Sequence, residues 1–232
     1  MGQYYRGVVL GKTTDKKKKI IVREAFSPYS HENGAKLMEH SYVGNWYVKE
    51  YERVLANEFF GFPFVWCGDY ADERYGEIPF VLACDYDYKR MLSNVKKAGY
   101  KYEESDWGAE CKKYDKAGNL IDTKSENEFR KTTPYEELEN VTYDVIINFT
   151  KKQFARIPKE STEKDKYGHS VLTIHPLPLL CASGNGRGGG DYHSGTNFNR
   201  VGIWAYDRIG IGYEDDIPAD FTELVVNFVE EY

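Results

Sequence analysis

The apolar residues of this 232-residue chain come in short runs, and that brevity most limits the fold it can adopt. A membrane span needs roughly 20 consecutive apolar residues, and no run approaches that length. "YYRGVVL" (4–10), "KKIIVREAF" (18–26), "FPFVWCGDYAD" (62–72) and "IPFVLACDY" (78–86) have the length and the β-branched and aromatic content of strands. Strand character returns in "NVTYDVIINFTKKQFARIP" (140–158), with a turn at "TKKQ", and in "RVGIWAYDRIGIGYEDD" (200–216). "HSVLTIHPLPLLCA" is equally apolar, but Pro176 and Pro178 exclude a regular central strand there.

Helical spacing occurs in fewer places. Apolar residues at 47, 48, 51, 54, 55 and 59 define one stripe, with Asn45 placed to cap it. Tyr88, Met91, Leu92, Val95 and Ala98 define a second, closed by Gly99 at a left-handed position. Phe221, Leu224, Val225, Phe228 and Tyr232 share a face if the C-terminus is helical. "TTPYEELEN" adds a short helix start with Thr133 as cap, Pro134 at the first position and Glu136 behind it. The expected fold is α+β: a mainly antiparallel sheet with about three packed helices.

Residues 100–133 are polar and rich in lysine and glutamate, with a weak hairpin signal in "CKKYDKAGNLID". The organisation expected is an N-terminal half (1–99), a polar insertion or connecting arm (100–139) and a C-terminal half (140–232), with a single compact domain as the alternative. The order "YYRGVVL", "IIV", "VGNW", "FVWCGDYAD" is loosely echoed by "YDVIINF", "TKKQF", "VGIW", "IGIGYEDD". Two diverged copies of one unit and two unrelated halves both fit that echo.

The net charge is −6, which argues against direct DNA binding, since phosphate neutralisation needs a basic surface. The run Lys16–Lys19, between strands on an acidic protein, reads as a solvated loop or charged edge. Tyrosine supplies most of the 16% aromatic content, which favours half-buried strands and broad contact faces. "MGQYYRGVVLG" lacks the charged start and apolar core of a signal peptide, so a cytoplasmic location is the expectation. Cys67, Cys84, Cys111 and Cys181 are widely spaced with no CxxC pair, consistent with ordinary reduced thiols and with no spacing for a zinc site.

The chemistry concentrates in "GNGRGGGDYH". Gly184, Gly186, Gly188, Gly189 and Gly190 surround Asn185 and Arg187, and Asp191, Tyr192 and His193 follow. Each glycine costs roughly 0.5–1 kcal/mol of chain entropy relative to alanine, more than plain turn-making asks for. One reading is a nest of backbone N–H groups facing an anion, with Arg187 as a bidentate donor. The other is a close-packed connection in which glycines let two backbones touch. No Lys-Ser/Thr pair and no apolar helix follows, so neither a P-loop nor a dinucleotide fold is supported. Asp191 and His193 are the candidate acid/base pair, with His175 as a further imidazole for metal binding. Asp207 and Arg208 follow "VGIW" and can return beside the loop, unless they form a structural pair. Trp204, like Trp46, reads first as a core residue and second as a ligand contact.

"MGQYY", "GDYAD" (68–72), "HPLPLL" (175–180), "GNGRGGGDY" (184–192) and "VGIWAYDRI" (201–209) together resemble a family of bacterial and mobile-element proteins. The resemblance implies a shared fold and makes the glycine loop its hallmark; it carries no reaction. Tyr206 stands where that family's shorter members are expected to have a small residue. The function expected is binding of a phosphate-bearing small molecule or nucleotide at 184–193, with or without hydrolysis of a phosphodiester or glycosidic bond. An alternative is a mobile-element inhibitor or anti-defence decoy that meets a host protein through an acidic, tyrosine-rich surface. The partner is then either a small anionic ligand or a host protein; no cofactor is indicated by name.

Overall fold

The computed structural model describes residues 3–11, 19–105, 108–130, 133–140, 142–164, 169–184 and 198–226. The fold class is α+β, as the sequence pattern implies. The first half supplies β1 (Tyr5–Leu10), β2 (Val22–Ala25), a short α1 (Leu37–His40), α2 (Trp46–Ala56) and β3 (Phe62–Gly68). β1 pairs antiparallel with both β2 and β3, with Tyr5 opposite Gly68 and Val9 opposite Phe64. Asn45 caps α2 as the spacing predicts, its side-chain oxygen accepting from Tyr47 N–H and Val48 N–H.

α2 covers one face of the sheet through Tyr47, Tyr51, Val54 and Leu55, which pack on Phe64 and Trp66. Fully burying a large side chain of this kind stabilises the fold by about 1.5–3 kcal/mol. The two tyrosines stay polar at their tips. Tyr51 Oη donates to Gly7 O (2.5 Å) and accepts from Phe26 N–H (2.9 Å), while Tyr47 Oη donates to Phe26 O (3.1 Å). Gly7 has to be glycine: a Cβ there would sit 2.6 Å from the Tyr51 ring.

The run 78–86 is not a strand. α3 (Pro79–Lys97) is one continuous helix that begins with Pro79 and absorbs both that run and the stripe behind it. Pro79, Ala83, Asp87, Met91 and Val95 face inward at four-residue intervals. A short apolar run has no periodicity of its own to tell a strand from a buried helix, and Pro79 at a first-turn position was the deciding signal. α3 ends as expected, with Gly99 at φ +79°. It packs across the back of β1 and β2, where Val8, Leu10, Ala25, Val65, Cys67 and Ala83 form a second core.

Residues 101–125 form a separate meander of β4 (Lys101–Ser105), β5 (Gly108–Tyr114) and β6 (Leu120–Ser125). Its inner side closes on the end of α3 through Cys111, Phe129, Met91 and Val95. α4 (Tyr135–Glu139) follows, but Thr133 does not cap it: the Thr133 amide and hydroxyl both donate to the Glu50 carboxylate (2.8 Å each).

The second half contributes β7 (Val145–Asn148), β8 (Gln153–Arg156), a small hairpin of β9 (Thr162–Lys164) and β10 (Ser170–Leu172), α5 (Pro176–Cys181), β11 (Ala182–Ser183), β12 (Arg208–Gly212) and β13 (Thr222–Glu223). The main sheet runs β13-β8-β7-β12-β3-β1-β2, with β11 on β3. Each half therefore repeats one arrangement, a hairpin whose first strand is joined on its other side by a later strand. The seam is the antiparallel pair β3–β12, Phe62 opposite Ile209. The C-terminal segment departs from the helix expected of it: Thr222 and Glu223 pair parallel with β8. Leu224 and Val226 are buried on either side of exposed Val225, the two-residue period of extended chain. Phe228 and Tyr232 lie outside the described residues, as do Lys16–Lys18. Among the described residues no helix is long and apolar enough to cross a membrane.

Candidate functional site

β3 and β11 are parallel neighbours, Ala182 beside Trp66 and Ser183 beside Cys67. Both strands then run into a glycine at the same end, Gly68 and Gly184. The carboxyl ends of parallel strands are where open α/β sheets commonly present ligand-binding loops. Between the two glycines lies the amide of Gln3. A Cβ built on Gly184 would collide with the Gln3 amide oxygen and the Tyr5 hydroxyl, and one on Gly68 would meet the same amide. The first glycine of the run is thus required by close approach of a side chain from the other end of the chain.

Gln3 is 2% exposed, and neither polar atom of its amide has a hydrogen-bond partner among the described residues. Its neighbour Tyr4 is held by a reciprocal pair, Tyr4 N–H to Asp69 Oδ1 (3.1 Å) and Asp69 N–H to Tyr4 O (2.9 Å). Behind the strand end, the Trp66 indole N–H donates to His40 Nε2 (3.0 Å), and His40 Nδ1 bonds Gly34 O (2.9 Å). Burial outweighs the Gly34 bond and the nearby Glu39 charge and holds the His40 pKa down at about 4.

On the opposite face, Ser183 Oγ lies 3.4 Å from Tyr206 Oη, and the Arg74 guanidinium stacks 4.3 Å from the Tyr206 ring centre. Tyr206 has φ +69°, a left-handed backbone that costs a side-chain-bearing residue about 1–2 kcal/mol. The bulky residue at this position is used as Arg74's platform. Burial first raises the Tyr206 hydroxyl's pKa and pushes the Cys67 thiol up to about 12, so neither ionises near neutrality. Three of the motifs that carry the resemblance thus meet in space, Gln3 of "MGQYY", Gly68 of "GDYAD" and Gly184 of "GNGRGGGDY", while Tyr206 of "VGIWAYDRI" packs on the other face against their chain neighbours Cys67 and Ser183.

Of the residues singled out by sequence, Asn185, Gly186, Arg187, Gly188, Gly189, Gly190, Asp191, Tyr192 and His193 lie outside the described residues. Gly184 is at the strand end just described. Asp207 and Arg208 are not beside it. Arg208 pairs with Pro63 at the start of β3, while Ser183 pairs with Cys67 near its end. Four residues of strand separate them, roughly 13 Å. Nor do the two pair with each other. Asp207 accepts from Asn148 Nδ2 (2.9 Å) and approaches Lys151 (3.5 Å), and Arg208 donates to Gly61 O (3.0 Å). Trp204 is fully buried, its indole N–H donating to Gln153 Oε1 (3.2 Å). His175 is remote in role as well. It caps α5 and bonds Glu52, and both ring nitrogens are occupied. Among the described residues no group of three His, Cys, Asp or Glu side chains is arranged to hold a metal ion. Gln3, Arg74 and Gly68 escaped the sequence reading as site residues, although Gln3 and Gly68 stand inside the resemblance motifs.

No family model, curated protein or solved structure matches this chain.

Proposed function

We propose that the protein binds a phosphate-bearing small molecule or nucleotide at the carboxyl ends of β3 and β11, through the 184–193 segment. The observation that carries this reading is the buried, unpartnered Gln3 amide between Gly68 and Gly184. Leaving a buried amide without a partner costs about 1–3 kcal/mol, a cost that a ligand's polar edge would remove. Tyr4 and Tyr70 stand exposed beside the same strand end, and aromatic faces accept a base by stacking. Arg74 and Arg187 supply positive charge suited to a phosphate.

A thermal-shift series of wild type, Gln3→Leu and Arg187→Ala against nucleotides, cyclic nucleotides and inorganic phosphate tests it. Ligand at a hundred times its dissociation constant adds about 2.7 kcal/mol. A shift in wild type that shrinks in both variants supports the reading, and no shift in wild type with any compound defeats it. A second reading, the protein-binding inhibitor, draws on the largely exposed segment after Gly68, where Tyr70 and Tyr75 flank Asp72 and Glu73. Under it, nucleotides leave the melting temperature unchanged.

A further inference from the structure

A cavity of about 210 Å³ lies between α2 and the chain leaving β8. Its wall includes Val43, Lys49, Glu52, Tyr143, Lys159 and His175. The chemistry of Glu52 and His175 is set by the start of α5. The Leu177 amide donates to His175 Nδ1 (3.1 Å), so that nitrogen is an acceptor and the ring proton sits on Nε2. Nε2 is 3.0 Å from Glu52 Oε1, to which it donates. A histidine locked in this tautomer orients the carboxylate without neutralising it. The pair keeps one negative charge.

Glu52 is 6% exposed, and among the described residues neither a lysine nor an arginine forms an ion pair with it. A carboxylate so far out of water is costly unless a cation or several donors meet it. Only one oxygen is used by His175, and Glu52 forms part of the cavity wall. The burial-raised Tyr143 hydroxyl also feels the Glu52 charge. The two lysines of the wall are engaged elsewhere: Lys49 Nζ with Leu138 O (3.3 Å) and Lys159 with Asp144. The cavity therefore has a negative floor and a mixed rim: Lys159 is matched by Asp144 and Glu160 adds a negative charge, but Lys49 hydrogen-bonds only backbone carbonyls among the described residues and keeps its positive charge, with Val43, Ile157 and Pro158 supplying apolar wall.

We infer that this cavity binds a small zwitterion of the size and charge of a free α-amino acid, its ammonium on Glu52 and its carboxylate toward Lys49. The inference is independent of the loop site and of what binds there.

Calorimetric titration of the full chain with the common amino acids tests it, alongside N-acetyl and decarboxylated forms of whichever binds. One amino acid should bind saturably at one site, and the N-acetyl form should bind at least about tenfold more weakly. Glu52→Gln should weaken binding by a similar factor, and Lys49→Gln by less. Ser161→Trp, on the exposed chain at the cavity mouth, should abolish binding without touching the Glu52–His175 pair, so the outcome stands even where Glu52→Gln does not fold. No binding by any amino acid at millimolar concentration overturns the inference, as does binding unchanged by Ser161→Trp.

Discussion

The two halves of the sheet share a strand arrangement and differ in what covers it. In the first half, β2-β1-β3 is covered on one face by α2 and on the other by the long α3. Its interface with α3 adds a buried ionic network to the apolar core: Asp87, fully inaccessible, meets Arg6, Arg90 and Arg130, and Arg90 also meets Glu24. In the second half, the back of β8-β7-β12 is covered by short pieces, where Phe149, Ile217 and Phe221 rest on Val145, Ile147 and Phe154. Its ion pairs are at the surface, Arg156 with Glu214 and Glu223, Lys152 with Asp220. One topology tolerates two covers, and the cover decides whether polar groups are costly or incidental. Buried charges must be matched, because each unmatched one costs several kcal/mol; exposed pairs contribute little.

The contrast is broken most directly at its strongest contacts. Trp66→Ala empties the centre of the first core and strips His40 of its indole donor; about 3–5 kcal/mol of stability should be lost, read by urea unfolding. Asp87→Ala leaves three arginines without their shared anion, and a loss of about 3–5 kcal/mol is expected in the same assay. A loss under about 1 kcal/mol would mean that the network relaxes into water and that the two halves are alike.

Acid should also distinguish the halves. The His40 pKa is lowered from 6.5 to about 4, so the unfolded chain takes up the proton first. The stability that depends on a neutral ring is intact above the unfolded value and declines as pH falls through the window from 6.5 to 4. The decline should approach about 3 kcal/mol by the lower end, and His40→Gln, which keeps an acceptor for the indole, should flatten it. Next in size is Gly184→Ala, expected to cost about 1–3 kcal/mol through its collision with Gln3 and Tyr5, with partial recovery in the double variant Gln3→Ala/Gly184→Ala. Smallest of all, Arg156→Ala in the second half should cost under about 1 kcal/mol, and salt should reduce even that.

Much of the chain up to residue 125 was legible because its signals are local. Asn45 precedes the helix it caps, and the hairpin signal at 111–122 became β5 and β6 around the turn after Asp115. The misreadings came where the deciding contact is distant or the segment short. The run at 78–86 looks like a strand until Pro79 is seen to start a helix, and Thr133 looks like a cap until Glu50 takes both its donors. At the C-terminus, the spacing that suggested a helix also allowed the alternation that pairing with β8 selects. The glycine run advertised itself. Gln3, which explains Gly184, could not, since the two meet only when the ends of β1 and β11 are brought together on β3.

The seam between the halves has a consequence for how the chain reaches this structure. β1 with β3 and β7 with β8 close over modest stretches of sequence, but the seam joins groups as distant as Gly61 and Arg208, 147 residues apart. Closing a loop of that length is entropically slow until both sides present ordered edges. Folding should therefore be hierarchical, each half assembling its own hairpin before β3 and β12 dock, and a chain synthesised from its N-terminus would hold the edge of β3 unpaired until Ala182 and then Ile209 arrive.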